Sequence, residues 1–320
     1  MEIKNKSVLV TGGAGFIGSH LVDELTKENL DNLVVIDNLY LGKESNLNDA
    51  KLNYPNLKFY KEDVSDYGIM KKIFENENID IVFDLAVIPL PASLLGPREV
   101  FEKNIDMTLN LCELAKDDYY ETLVHFSSSE AYGTAAYVPM DEKHPLNGTT
   151  TYAASKASSD LLVFSYIRTF GIDSTIIRPF NNYGPRQNEG SYAGVIPLTI
   201  KRIFNNESPI IYGDGKQTRD YLYVTDTARA AIDIYKSNKT RNRALNIASG
   251  REVSIDYIIK FIANYLNSKK EIVYEAERPG DVRRHIANIY LAEDLIDFRS
   301  TVSFDEGLIQ TIEWYKQNMK

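Results

Sequence analysis

The stretch Thr11-Gly12-Gly13-Ala14-Gly15-Phe16-Ile17-Gly18 decides how the first part of the chain folds. It directly follows the apolar, β-branched run Ser7–Thr11 and leads into an amphipathic segment. In a strand–turn–helix setting, Gly12 permits a tight turn, Gly15 lets the backbone approach a pyrophosphate, and Gly18 lets helix and strand pack closely. Unpaired N–H groups at the start of the helix attract phosphate. The stretch therefore predicts a dinucleotide-binding turn.

Acidic residues follow the next two predicted strands. Asp37 closes the run 33–37, about 20 residues after the glycine turn, where a carboxylate binds the ribose of a dinucleotide. A negative charge there repels a 2′-phosphate, so the predicted cofactor is NAD rather than NADP. Asp63 follows the run 57–60 and is predicted to accept a hydrogen bond from the adenine amino group. Capping of the next helix is the alternative for Asp63.

Short apolar runs alternate with amphipathic segments in the first half of the chain, which is typical of a parallel sheet covered on both faces. The predicted strands are Ser7–Thr11, 33–37, 57–60, 79–85, 122–127 and 174–178. The second half is rich in turns and mixes short strands with helices. We predict an α/β fold, with a doubly wound parallel Rossmann sheet at 1–178 and a smaller, interleaved α/β substrate domain at 179–320.

Composition limits the possible partners of the chain. Its 320 residues carry a net charge of -9, so binding to nucleic acid polymers or anionic membranes is not expected. No apolar run approaches the ~20 residues that cross a bilayer. A single cysteine, Cys112, allows no internal disulfide, and the four histidines lack metal-ligand spacing. We therefore expect a cytoplasmic protein without a metal site.

Tyr152 and Lys156 are four residues apart on a predicted helix, so they share one helical face. A phenol with a pKa near ~10 is a poor base at neutral pH. An adjacent ammonium and a positive nicotinamide would favour the phenolate and make Tyr152 usable as a base. The serine run 127–129, at the carboxyl end of a predicted strand, would supply a hydroxyl partner.

These motifs together resemble the extended short-chain dehydrogenase/reductases, and more closely their nucleotide-sugar epimerase/dehydratase branch. The resemblance runs from residue 7 to about residue 314 and is carried by the glycine turn, Asp37, the serine run with Tyr132-Gly133, the Tyr152/Lys156 pair, 178–186, 213–221 and 278–281. It implies that Tyr152 removes the proton of the sugar C4 hydroxyl while hydride moves from C4 to NAD. Ser128 would hydrogen-bond the same oxygen, and Lys156 would hold the nicotinamide ribose.

The resemblance also implies further contacts to both ligands. For NAD these are Phe16, Ile17, Asn38, Val64, Leu85, Ala86 and Asn104. For the nucleotide-sugar substrate, expected to be UDP-linked, they are Ser128, Ser129, Asn181, Val195, Arg219 and Arg278. The two arginines would clamp a diphosphate bidentately. The apolar helices at 101–114 and 152–166 are expected to pair with a second subunit in a homodimer, with burial inside one subunit as the alternative.

The reaction after oxidation at C4 depends on the residues beside Ser128. Glu130 stands where similar 4,6-dehydratases place the base for C5, and where sugar-acid decarboxylases also carry glutamate. Ser129 stands where one dehydratase group has an aspartate, and 193–197 and 278–281 resemble UDP-hexose epimerases. We favour a UDP-sugar 4-epimerase of the UDP-glucose or UDP-N-acetylglucosamine type. The alternatives are a 4,6-dehydratase, a UDP-glucuronate decarboxylase, a 4-dehydrogenase, and a noncatalytic NAD-sensing relative.

Overall fold

The computed structural model describes residues 1–190, 193–277 and 283–319. The strands in this part of the chain are β1 (Ser7–Thr11), β2 (Asn32–Ile36), β3 (Lys58–Tyr60), β4 (Ile81–Asp84), β5 (Thr122–Phe126), β6 (Asp173–Pro179), β7 (Asn181–Tyr183), β8 (Ile210–Tyr212), β9 (Thr218–Tyr223), β10 (Ala244–Ile247), β11 (Glu252–Ser254), β12 (Val273–Glu275) and β13 (Arg284–His285). The helices are α1 (Phe16–Leu25), α2 (Asn48–Asn53), α3 (Tyr67–Glu77), α4 (Leu90–Ser93), α5 (Pro97–Lys116), α6 (Thr151–Phe170), α7 (Val195–Phe204), α8 (Val224–Lys236), α9 (Ile255–Tyr265), α10 (Tyr290–Ile296) and α11 (Phe304–Asn318).

Seven parallel strands form the main sheet, in the order β10-β6-β5-β4-β1-β2-β3. Strand β1 lies near its centre and is buried along its whole length, as its β-branched, apolar sequence requires. Successive side chains of a strand point to opposite faces. Accordingly, Val8 and Val10 join the core on one face of the sheet, and Leu9 joins the core on the other. The prediction of a doubly wound Rossmann sheet is confirmed.

Strand β10 comes from the second half of the chain and pairs with β6 at the sheet edge. Helix α8 from the same half packs on α1, beside the glycine turn. The span 179–320 therefore supplies a strand and a helix to the layers around the main sheet. The division into domains at residue 178 stays a prediction.

The rest of the second half forms a smaller α/β region. Strand β9 pairs with β7, β11 and β13, and β8 pairs with β12. Helices α7, α9 and α11 pack around this region, and their apolar faces share one core with Tyr183 and Tyr223. Through β9 and β13, this region holds Arg219 beside His285, in register across the two strands.

The strand order reverses between β1 and β4, because the chain crosses to β2 and β3 on one side and to β5 and β6 on the other. Ligands of open α/β sheets bind at such a switch point, beyond the carboxyl ends of the strands. The glycine turn and the serine run lie at this edge. Within the three described ranges, no helix is both long enough and apolar enough to cross a membrane.

Candidate active site

A cavity of ≈ 420 Å³ opens at the carboxyl ends of the central strands. The turns after β1, β2, β4 and β5 surround it, together with residues of α1, α5 and α6. The predicted site residues that line it are Gly12, Gly15, Phe16, Ile17, Gly18, Asp37, Asn38, Asp63, Val64, Leu85, Ala86, Ser128, Tyr152 and Lys156. Most of the predicted cofactor residues and three of the predicted catalytic residues therefore face one space.

The glycine turn leaves no room for side chains at two positions. Gly12 has a φ of +63°, and a Cβ there would lie 2.8 Å from the backbone of Leu85 and Ala86. A Cβ on Gly18 would lie 2.2 Å from the carbonyl oxygen of Gly12. The turn can therefore pass close to β4, and α1 can begin directly against it, as a pyrophosphate-binding turn requires.

Asp37 accepts hydrogen bonds from two backbone N–H groups at the end of β2. The donors are Ala14 in the glycine turn, at 3.0 Å, and Leu39, at 2.8 Å. Burial raises the pKa of Asp37, and these backbone donors oppose the rise. The carboxylate is thus held in place against the glycine turn, at the position of a ribose-binding acid.

Asp63 accepts hydrogen bonds from the backbone and side chain of Ser65, at 3.0 and 2.7 Å. The residue that caps α3 is Asp66, which accepts from the N–H of Ile69. The other oxygen of Asp63 lies 3.5 Å from the amide nitrogen of Asn38 and 3.4 Å from Nζ of Lys103. Asp63 therefore shapes the turn before α3 and also lines the cavity.

Asn104 lies behind the cavity wall. Its side chain accepts from the N–H of Ile88 at 2.8 Å and donates to the carbonyl of Ile88 at 3.1 Å and to Ser155 Oγ at 3.0 Å. Ile88 lines the cavity, whereas Asn104 does not. The structure thus places Asn104 where it orders the wall and joins α5 to α6. Its predicted contact with the cofactor stays a prediction.

Ser128, Tyr152 and Lys156 meet at the inner end of the cavity. Ser128 caps a short 3-10 turn by accepting from the N–H of Glu130 at 3.1 Å, and its hydroxyl lies close enough to the phenol of Tyr152 to oppose the rise in its pKa. Tyr152 and Lys156 lie one turn apart on α6, which Thr150 caps. Nζ of Lys156 donates to the carbonyl oxygen of Phe126 at 2.6 Å. Strand β5 and helix α6 therefore bring together the groups predicted from the sequence.

Burial opposes charge on both titratable groups of α6. It raises the pKa of Tyr152 to about 12, an effect that the Ser128 hydrogen bond reduces and the charge of Glu130 increases. It lowers the pKa of Lys156, against the attraction of Asp84 and Asp160. Tyr152 is therefore protonated at neutral pH in the chain alone, and an added positive charge is needed for it to accept a proton.

Glu130 and Arg219 lie outside the residues that line the cavity, but their charges interact. Burial raises the pKa of Glu130, and the charge of Arg219 opposes this rise. The charge of Glu130 in turn acts on Tyr152. The Glu130 carboxyl group is thus close enough to influence both the predicted base and the predicted phosphate-binding arginine.

The other predicted substrate residues are placed as follows. Ser129 is buried, and its backbone lies close enough to His285 to raise the pKa of that imidazole, against the effect of burial. Asn181 donates to the carbonyl oxygen of Asp220 at 3.4 Å, and Val195 begins α7. None of these three lines the cavity, and Arg278 lies outside the described residues. Their contacts with a substrate stay predictions.

Several cavity residues were not predicted from the sequence. These include Tyr40, Gly42, Ile88, Lys103, Ser127, Asn182, Gln187 and Asn188. Three polar atoms among them are buried without a hydrogen-bond partner in the described part of the chain: Ser127 Oγ, Gln187 Oε1 and Asn188 Nδ2. The serine run was a visible signal for Ser127. Gln187 and Asn188 follow the Gly184-Pro185-Arg186 motif, but nothing in the sequence indicated that they turn toward the cofactor side.

The cavity fits a dinucleotide. Side chains are excluded at Gly12 and Gly18, and a Cβ on Gly42 would lie 2.8 Å from the carboxylate oxygens of Asp37. This arrangement leaves a groove for phosphates at the turn and a fixed carboxylate for a ribose. Buried polar atoms at the other end, such as Ser127 Oγ, offer hydrogen bonds to a ligand. In the described ranges, no group of His, Cys, Asp and Glu side chains could hold a metal ion.

The chain is similar to proteins of known family over nearly its whole length. The profile of the NAD dependent epimerase/dehydratase family matches residues 8–248. The solved UDP-N-acetylglucosamine 4-epimerase of Methanobrevibacter ruminantium, in complex with UDP-N-acetylmuramic acid, is 38% identical, with a TM-score of 0.91 and coverage of 99% of this chain and 100% of that one.

Relatives named for two different reactions have similar sequence identity to this chain. The solved UDP-glucose 4-epimerase of Thermotoga maritima, with UDP-glucose, is 32% identical, with a TM-score of 0.90 and coverage of 98% of this chain and 100% of that one. The dTDP-glucose 4,6-dehydratase 1 of Escherichia coli is also 32% identical, with coverage of 98% and 93%. The resemblance seen in the sequence, the NAD cofactor and the enzymatic class are thereby confirmed, although the reaction is not resolved. The chain belongs to the NAD-dependent epimerase/dehydratase family.

Proposed function

We propose that the chain is a UDP-sugar 4-epimerase for substrates of the UDP-glucose or UDP-N-acetylglucosamine type. The observation that carries this proposal is the grouping of Ser128, Tyr152 and Lys156 at the inner end of the dinucleotide cavity. A hydroxyl, a phenol and an ammonium are the groups needed to oxidise an alcohol and to reduce the resulting ketone. Similarity to two UDP-sugar 4-epimerases supports the choice of substrate.

Each side chain has a role that follows from its position. Tyr152 accepts the proton of the C4 hydroxyl, and the Ser128 hydroxyl hydrogen-bonds the same oxygen as its charge develops. Lys156 holds the nicotinamide ribose and adds positive charge near the phenol. NAD supplies a hydride acceptor for C4 that can return the hydride. Because the pKa of Tyr152 is about 12 in the chain alone, proton transfer depends on the positive charge of the bound, oxidised cofactor.

An epimerase must let the keto sugar turn over in its site, so that hydride returns to the opposite face. It needs no acid at C6 and no base at C5. Ser129 is consistent with this requirement, because it carries no carboxyl group where a leaving hydroxyl would be protonated, and its side chain is buried. We further propose that Arg219 and Arg278 bind the diphosphate, that Asn181, Ser129 and Val195 contribute to the substrate pocket, and that the protein acts as a homodimer.

A 4,6-dehydratase is the second candidate, favoured by Glu130. Burial raises the pKa of this carboxyl group, which makes its ionised form a stronger base, although Arg219 opposes the rise. The charge of Glu130 reaches Tyr152, so it lies near the reacting part of a sugar bound there. A decarboxylase of UDP-glucuronate is the third candidate and would use the same glutamate.

The product distinguishes these reactions. Purified protein is incubated separately with UDP-glucose, UDP-N-acetylglucosamine and UDP-glucuronate, and the mixtures are followed by proton NMR. We expect the C4 epimer of at least one of the first two, and no product from Tyr152→Phe under the same conditions. A 4-keto-6-deoxy sugar or released carbon dioxide would contradict the proposal and would identify the second or third candidate.

A further inference from the structure

Three buried polar side chains lie side by side beneath the cofactor cavity. Thr11, Asp84 and His125 end or nearly end β1, β4 and β5, and they are register partners across these strands. We call them the buried row. Thr11 and His125 are 0% exposed and Asp84 is 2% exposed. Burying a carboxylate to this degree costs folding free energy unless neighbouring groups stabilise its charge, so Asp84 requires hydrogen-bonding partners.

Both oxygens of Asp84 are engaged by the row. Thr11 Oγ1 donates to Asp84 Oδ1 at 2.8 Å, and His125 Nδ1 donates to Asp84 Oδ2 at 2.8 Å. Burial alone would raise the pKa of Asp84, but the hydrogen bonds from His125 and Thr11 and the charge of Lys156 lower it on balance. The carboxylate is therefore held ionised, in one orientation, at the carboxyl end of β4.

The buried row adjoins the cavity wall at two places, one after β4 and one at the end of β5. Thr11 Oγ1 also accepts from the N–H groups of Leu85 and Ala86, at 3.0 and 3.1 Å, and both residues line the cavity. On the other side, the residue after His125 is Phe126, whose carbonyl oxygen accepts from Nζ of Lys156 at 2.6 Å. The Asp84 carboxylate thus lies under the backbone that faces the cofactor, and its charge acts on the Lys156 ammonium.

Groups other than Asp84 also surround Lys156, but their charges are neutralised or act on other residues. The charged and titratable groups that act on Lys156 or on its neighbours are Tyr152 and Asp160 on α6, Asp84 on β4, His125 on β5, Glu130 on the 3-10 turn, Arg178 on β6, Cys112 on α5 and Tyr120 just before β5. Asp160 forms an ion pair with Arg178 at 2.8 Å, which offsets much of its charge. Burial raises the pKa of the Cys112 thiol, which leaves it uncharged. The charge of Glu130 acts mainly on Tyr152 and Arg219.

The protonation state of His125 distinguishes Asp84 from Asp160, which is paired with the charged Arg178. Its Nε2 is buried without a hydrogen-bond partner among the described residues. A protonated imidazole would leave a charged N–H without an acceptor there, whereas the neutral tautomer that carries its proton on Nδ1 does not. Asp84 is therefore held by two neutral donors, and its negative charge is left to act on Lys156.

We propose that Asp84, oriented by Thr11 and His125, is a positioning residue that keeps the buried Lys156 protonated and so able to hold the nicotinamide ribose of the cofactor. The inference rests on the role proposed above for Lys156, and it is independent of which sugar is converted. Without Asp84, burial would favour the neutral amine more strongly, because the larger of the two attractions that oppose it would be lost and Asp160 is paired with Arg178.

The test measures NADH binding against pH by NADH fluorescence, without any sugar. All proteins carry Tyr152→Phe, so that the phenol cannot titrate. The affinity of this reference protein should fall at alkaline pH as Lys156 loses its proton. We expect Asp84→Asn to move that fall to lower pH by about one unit. The added change Lys156→Met should remove the pH-dependent fall altogether.

The matched control is Asp80→Asn, the same change just before the opposite end of β4. Asp80 accepts from the N–H of Ser7 at 2.7 Å and pairs with Lys6, so its loss affects stability without reaching Lys156. We expect the NADH affinity of the Asp80→Asn variant to fall at the same pH as that of the reference protein. Identical curves for Asp84→Asn and the reference protein would overturn the proposal, as would a fall that persists in Lys156→Met.

A second pair of variants tests the same proposal if Asp84→Asn does not fold. His125→Asn keeps an N–H donor near the position of Nδ1, whereas His125→Leu removes it. We expect the leucine variant to shift the fall to lower pH and the asparagine variant to stay near the reference. Two folded variants with unshifted curves would refute the role of the row. Because no sugar is present, a wrong assignment of the epimerase reaction leaves these outcomes unchanged.

Discussion

The hydroxyl of Ser128, just after β5, lies close enough to the phenol of Tyr152, in the first turn of α6, to oppose the rise in its pKa that burial causes, and both side chains line the cavity. Ser128 is fixed by accepting from the N–H of Glu130, and Tyr152 is fixed by the first turn of its helix. Two separate elements therefore aim a hydrogen-bond donor and a proton acceptor at one point. A substrate hydroxyl at this point would contact both groups.

Replacing Tyr152 with phenylalanine removes the proposed base and little else. We expect turnover to fall by a factor of about 10³ or more, because general base catalysis contributes on the order of 10²–10⁴. NAD binding, measured by equilibrium titration, should change little. The control is Tyr166→Phe on the same helix, whose hydroxyl bonds Glu113 away from the cavity. Turnover near that of the unmodified protein in Tyr152→Phe would refute the assignment.

Glu130→Gln separates the two leading reactions, since it keeps the size of the side chain and removes its charge. An epimerase has no proton to take from C5, so kcat should stay within a factor of about three. KM can change more, because Arg219 loses an opposite charge. In a dehydratase, kcat would collapse while substrate binding remained. Both constants are measured on whichever sugar the product assay identifies.

Asp37 is expected to determine the choice between NAD and NADP. Asp37→Asn should weaken NAD binding about 10- to 100-fold, since hydrogen bonds to charged groups contribute about 1.5–3 kcal/mol. The ratio of NADP to NAD affinity should rise, because the repulsion of a 2′-phosphate is gone. Asp31→Asn, just before the start of the same strand, is the control and should bind both cofactors as the unmodified chain does. An unchanged ratio would contradict the role of Asp37.

Two buried histidines predict a loss of stability at acid pH. Burial lowers the pKa of His20 and of His285 to about 4, helped by the charges of Arg186 and Arg219. An unfolded histidine titrates near ~6.5, so the unfolded chain binds more protons between these values. The stability contributed by each histidine is present above about pH 6.5 and decreases by about 1.4 kcal/mol per pH unit toward pH 4.

Urea unfolding at pH 7.5 and pH 5 measures this effect. A double variant, His20→Gln with His285→Gln, should lose less free energy of unfolding between the two pH values than the unmodified chain. Contributions from carboxyl groups are the same in both proteins and cancel in the comparison. An equal loss in both would show that these histidines are not held neutral in the folded state.

The sequence predicted the parts of the fold that depend on local pattern. Strand β1 is a continuous β-branched run that is buried along its whole length, and its bounds, Ser7–Thr11, are the predicted ones. The glycine turn could be predicted because the spacing of its glycines is typical of a strand–turn–helix unit. The Tyr152/Lys156 pair could be predicted because residues four apart share one helical face. Strands β7 and β13 were missed, because three and two residues are too few to show a period.

Features that depend on pairing between strands could not be read from the sequence. Asp84 and His125 are 41 residues apart, and only the register of β4 with β5 brings them together. The sequence motif predicts that Asn181 contacts the substrate, and the structure adds that the neighbouring Asn182 lines the cofactor cavity. Neighbouring residues of a strand point to opposite sides, so the motif alone does not decide which asparagine faces the ligand.

The measurement that tests the central claim most directly is the position of a deuterium label. A UDP-sugar that carries deuterium at C4, either UDP-glucose or UDP-N-acetylglucosamine, is converted by the protein, and the product is examined by NMR. If hydride leaves and returns at the same carbon, the deuterium is found at C4 of the epimer. Deuterium at C6 of a 4-keto-6-deoxy product would contradict the epimerase and would establish a dehydratase.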